Sequence, residues 1–297
     1  MVISPATASA EVLATSDGTR LAFDRTRGGS GAPVLFAHGF GQTRRAWDGS
    51  ARILAAAGHS SIRFDARGHG DSGRNPVDVP YAGETFVADL IAMADQAPAP
   101  VLVGASMGGL LGLLAQHHAA SFRALVLVDI TPRWEEAGVE RILGFMRAHP
   151  EGFASLEAAA DAIAAYLPHR ARKTATQLRE ILRERDGRWH WHWDPRLLTE
   201  FAHDTARFQP LVAEAARALR VPTLLVSGGR SDLVSRATVE EFLALAPHAR
   251  HVQLPAATHM VAGDDNQAFV EAVLPFLGGL APPSASPSSR RASGAVS

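Results

Sequence analysis

A chain of 297 residues with 46% hydrophobic content is long enough for one large buried core carrying an insertion. Its net charge of −1 argues against a nucleic-acid partner or an anionic membrane surface, and the absence of cysteine excludes disulfides, thiolate catalysis and cysteine metal sites. Met1 to Ala10 has neither the basic flank nor the sustained apolar stretch of a secretory leader, and no uncharged run reaches the ~20 residues of a bilayer-spanning helix, so a cytoplasmic location is expected.

Strand and helix patterns alternate from Leu21 to Thr131. Pro33 to Ala37 reads as an apolar strand that opens into His38-Gly39-Phe40-Gly41-Gln42. Asp65 to Ser72 is a polar turn with the look of a catalytic motif. It reads as scaffold, with glycine supplying positive φ, aspartate tying down local amides and Arg67 pairing with a carboxylate. Val101-Leu102-Val103 then runs through Gly104-Ala105-Ser106-Met107-Gly108 into an apolar helix, and Ala124 to Val128 is a strand ending at Asp129.

From about Pro132 to Pro210 helical patterns take over, at Trp134 to Ala148, Leu156 to Leu167 and Thr174 to Arg185. Arg188 to Pro195 reads as extended, with Trp189, Trp191 and Trp193 on one side and His190 and His192 on the other. No third ligand stands at a recognisable spacing from the two histidines, so neither a metal nor a cofactor is expected. Alternation resumes from Val221 to Leu277, and a Pro, Ser and Ala-rich stretch follows.

This is the pattern of an α/β doubly wound parallel sheet. The expected division is a core of residues 1–131 and 211–280, a helical cap at 132–210 and a disordered tail at 281–297. The cap follows the strand that ends at Asp129, so it should fold over the carboxyl edge of the sheet and exclude water there.

The strand-to-helix turn at Ser106 places a hydroxyl at the top of the sheet, where glycines let the backbone pass at a strained angle. Such a serine needs a base and an acid to orient it, in the chain order serine, acid, histidine. Asp232, after the strand Val221 to Gly229, is the expected acid, and His259, after the short strand His251 to Leu254, the expected base. Asp129 is the other acid on that edge; the following Ile130-Thr131-Pro132 reads as steering the chain away. The oxyanion of a tetrahedral intermediate needs two amides, expected from Phe40 and Met107. His38, Gly39 and Trp134 are assigned to the substrate pocket, His38 chiefly as a brace of its loop, and Phe40, Met107 and Met260 are expected to line it as well.

With these pieces the chain resembles the α/β-hydrolase fold superfamily from about Leu13 to Leu277, in its cap-bearing branch of esterases, lactonases, epoxide hydrolases, carbon–carbon bond hydrolases and cofactor-free haloperoxidases. His38-Gly39-Phe40-Gly41 matches the oxyanion loop, Asp65 to Ser72 the structural turn, Gly104 to Gly108 the nucleophile elbow, and His259 to Asp264 resembles the histidine loop. The resemblance implies eight mostly parallel strands and a hydrolytic triad. Epoxide hydrolases carry aspartate at the elbow, whereas Ser106 suits acyl transfer. The expected activity is hydrolysis of a small, partly apolar carboxylic ester or lactone through an acyl-enzyme on Ser106. Carbon–carbon bond hydrolysis or perhydrolysis is the alternative within enzymes, and a non-catalytic ligand receptor the alternative of another class. A small-molecule partner is expected, and a homo-oligomer is compatible with the sequence.

Overall fold

Apolar runs buried on both faces form the centre of the sheet. In the computed structural model, which describes residues 10–168, 170–202 and 205–280, β1 (Ala10–Ala14) and β2 (Arg20–Thr26) make an antiparallel edge. The tail expected at 281–297 lies outside the described residues. Next come β3 (Val34–Ala37), α1 (Asp48–Ala56), β4 (Ser61–Phe64), α2 (Gly83–Ala94), β5 (Val101–Ala105), α3 (Met107–Ala119) and β6 (Ala124–Val128). Every residue of β3, β4 and β6 is buried, as in parallel strands covered by helices on both sides.

An insertion follows: α4 (Glu136–Arg147), α5 (Leu156–Tyr166), α6 (Ala175–Ile181), β7 (Leu182–Arg185), β8 (Arg188–Trp191), α7 (Leu197–Glu200) and α8 (Thr205–Ala218). The chain then returns through β9 (Thr223–Gly228), α9 (Arg236–Leu245), β10 (Arg250–Leu254), α10 (Val261–Asp264) and α11 (Asn266–Gly278).

The main sheet has eight strands in the order β1-β2-β4-β3-β5-β6-β9-β10. Pairing is parallel from β4 onwards and antiparallel where β2 meets its two neighbours. Side-chain alternation sends Leu102 and Leu125 to the face covered by α2 and α3, and Val101, Val103 and Phe36 to the face covered by α1 and α11. On that second face Phe36 stacks on Trp47 at 4.8 Å. Among the described residues no helix is long and apolar enough to cross a membrane.

Two expectations for the insertion are corrected. Thr174 to Arg185 is not one helix: α6 ends at Ile181, and Leu182–Arg185 pairs with Arg188–Trp191 as a hairpin. Asp186 and Gly187 form its turn at φ 53° and 72°, the left-handed conformations that a two-residue hairpin loop needs. The boundary expected at residue 210 falls inside α8, which packs on α3 of the core. The rest of the insertion has a small core of its own, including Phe153, Leu156, Ile163, Leu178 and Leu182.

Candidate active site

The turn after β5 has the geometry its glycines imply. Ser106 sits at φ 48°, ψ −117°, a region costly for a residue with a side chain. A Cβ on Gly104 would lie 2.6 Å from the Gly108 carbonyl oxygen, and one on Gly108 would lie 2.4 Å from that of Ala37. Only glycine lets α3 begin so close to β3. Ser106 is thereby the N-cap of α3, and the Met107 amide heads the helix. Neither that amide nor the amide of Phe40 donates to another described residue.

His259 follows β10, and its Nδ1 lies 2.8 Å from Asp129 Oδ2. Since the carboxylate only accepts, Nδ1 carries the proton, and in the neutral ring the lone pair is then on Nε2. Asp129 is fully buried, and its other donors are the Gly228 amide at 2.7 Å and the Ser231 hydroxyl. Its φ of 49° bends the chain sharply at the end of β6.

Asp232 was expected in this place, and the geometry corrects that. Its carboxylate accepts from Arg141 Nε at 2.6 Å, and the side chain is 32% exposed. The N-cap of α9 is Ser235, three residues further on. The reason lies in the loop after β9, which turns Ser231 back to the buried carboxylate and leaves Asp232 facing Arg141 of the insertion.

The assignment of His38 to the pocket is also corrected. It borders neither of the two cavities that Ser106 lines; its Nδ1 donates to the Gly39 carbonyl at 2.9 Å and its Nε2 accepts from the Ala66 amide at 2.9 Å. Two further buried histidines hold the same loop. His69 Nε2 accepts from the Gly41 amide at 3.2 Å. His192, from the insertion, accepts from the Gly70 amide at 2.8 Å and donates to the Gly41 carbonyl at 3.1 Å. Burial lowers the pKa of all three, holding His69 well below the ordinary imidazole value and His192 at about 3, so they remain neutral hydrogen-bonding posts. Below them Asp65 accepts from the amides of Arg44 and Asp71, and Arg67 forks onto Asp89 at 2.6 and 2.7 Å, which fixes the turn.

Ser106 borders two cavities. The smaller, about 120 Å³, is almost wholly apolar and is lined by Met107, Leu110, Trp134 and Phe208 among others. The larger, about 630 Å³, holds His259, Gly39, Gln42, Met260, Trp191 and Trp193. Phe40 lines both. The indoles of Trp191 and Trp193 stack with centroids 6.3 Å apart. Ser106 thus lies between an apolar slot and a roomier chamber, with a paired imidazole at the chamber wall.

A family model described as "Alpha/beta hydrolase family" matches residues 34–272. An esterase of Mycobacterium tuberculosis is 31% identical over 83% of this chain and 83% of its own length. A 3-hydroxybutyrate-oligomer hydrolase of Cupriavidus necator is 28% identical over 76% of this chain and 82% of its own. The solved structure of the M. tuberculosis esterase superposes with a TM-score of 0.71 at 27% identity, covering 93% of this chain and 94% of that one.

Proposed function

The chain belongs to the Alpha/beta hydrolase family, and from that premise we propose that this hydrolase cleaves a small, partly apolar carboxylic ester or lactone with Ser106 as nucleophile. His259 Nε2 takes the Ser106 proton as the hydroxyl attacks the carbonyl, and Asp129 stabilises the imidazolium that forms. The amides of Phe40 and Met107 donate hydrogen bonds to the negative oxygen; one such donor is typically worth about 3 kcal/mol to the transition state. The alkoxide leaves with the proton from His259, and water, activated by the same imidazole, releases the acid from the acyl-enzyme. The insertion serves as a cap that keeps bulk water from the intermediate.

The observation that carries this reading is the bond from His259 to a fully buried carboxylate, in a cavity shared with a strained serine. Labelling with a fluorophosphonate, followed by a panel of esters, lactones and diketones, tests it. Wild-type protein should label at Ser106 and turn over esters or lactones, and Ser106→Ala should lose both. A folded chain that never labels would be a receptor, and one that labels but cleaves only diketones would break carbon–carbon bonds.

A further inference from the structure

The rim of the larger cavity has a charge imbalance that the acyl-transfer steps leave unused. Arg141, Arg170, Lys173 and Arg230 border it and its outer extension, against two carboxylates, Asp232 and Asp264. Both carboxylates are engaged. Asp232 pairs with Arg141; Asp264 lies 3.1 Å from Arg170 Nε and also accepts from Thr258. Among the described residues, Lys173 and Arg230 have neither an ion pair nor a side-chain hydrogen bond.

These two cations come from different parts of the chain, one from the insertion and one from the core. Lys173 lies between α5 and α6 of the insertion, half-buried, where burial and the neighbouring Arg170 charge both disfavour its ammonium and Glu180 only partly offsets them. Arg230 lies on the loop after β9, one residue before the Ser231 that holds Asp129, and its backbone is fixed by a 2.9 Å bond to the Ala257 carbonyl. Lys173, kept half out of water without a partner, is a cost in the empty site, recovered when an anion enters, and the exposed Arg230 adds a second charge to the same rim. Net charge does not explain it, since the whole chain carries −1.

We propose that Lys173 and Arg230 form a subsite for an anionic group, a carboxylate or a phosphate, at the end of the substrate that runs from Ser106 through the larger cavity. This rests on the ester-cleaving reading above and narrows it: the apolar part of the ester enters the smaller cavity and the acidic terminus lies at the rim.

The test uses butanoate esters of ω-hydroxyalkanoic acids over a series of chain lengths, each compared with its terminal carboxamide and terminal phosphonate. At the best length the charged esters should exceed the carboxamide in kcat/KM by about tenfold or more, as a charge-assisted hydrogen bond implies. Whichever anion is favoured identifies the natural terminus as carboxylate or phosphate. In Lys173→Met/Arg230→Gln that ratio should fall to about one, as the same hydrogen bonds are lost, and Lys173→Arg/Arg230→Lys should recover it. A wild-type ratio near one, or a ratio unchanged in the double variant, overturns the subsite. Calorimetry with the free ω-hydroxy acids separates the two readings. If no ester is cleaved yet the acids bind and lose affinity in the double variant, the subsite stands and the ester reading fails.

Discussion

Asparagine at position 129 would preserve an acceptor for His259 Nδ1 while removing the charge that stabilises the imidazolium, so Asp129→Asn should lower kcat by up to about 10⁴-fold, the cost of that change in a serine triad. Asp232→Asn should stay within about fivefold, the worth of an exposed ion pair. Steady-state kinetics on one ester checks both, and a larger loss at 232 would return the triad acid to that position. The placement of Ser106 and His259 could be read from the sequence because each has a local signature, glycines around Ser106 and a turn after a short strand before His259. The choice between the acids had no such signature. Both follow strands, and what separates them is that Asp129 turns inward at positive φ while the loop after β9 turns Ser231 inward and Asp232 out to Arg141, which no linear spacing records. Gly108→Ala, whose Cβ would meet the Ala37 backbone oxygen at 2.4 Å, should destabilise the fold by about 1–3 kcal/mol as overpacking does, seen as a lowered urea midpoint.

β8 and the residue after it tie the insertion to the loop carrying Phe40 through His192. An imidazole held neutral at about 3 in the fold, but titrating near 6.5 when unfolded, makes the unfolded chain the better proton binder between those values. Stability is therefore full above pH 6.5 and falls as pH drops towards the folded value, by about 1.4 kcal/mol per pH unit for each such histidine. Chemical denaturation between neutral and mildly acid pH should show this fall, and His192→Gln should show a shallower one; parallel slopes would remove His192 from the account. The hairpin that presents this histidine was half legible. The Arg188 to Trp193 alternation marked an extended segment, but Leu182–Arg185 was hidden by a charged run that fits a helix equally well, and the Asp186-Gly187 turn was the cue to the hairpin.

The overall architecture was the most legible feature, because buried parallel strands need continuous apolar runs and the insertion interrupts them with helical periodicity. The boundary at residue 210 was not, since α8 belongs by sequence to the insertion and by contact to α3. The two cavities could not be read at all, as they arise where segments distant in sequence face one another. Trp134 closes part of the smaller one, and Trp134→Ala should shift preference among acyl esters towards longer chains, measured as kcat/KM across an alkanoate series. An unchanged profile would mean that chain length is set in the larger chamber.

The two indoles stacked at 6.3 Å on the wall of that chamber give the molecule a built-in optical gauge. Excited states of rings so close exchange energy, and the resulting near-ultraviolet dichroism depends on their mutual tilt, so a guest that presses on either ring alters the signal. Occupancy of the chamber can therefore be followed in the unlabelled protein, including with compounds that are never turned over.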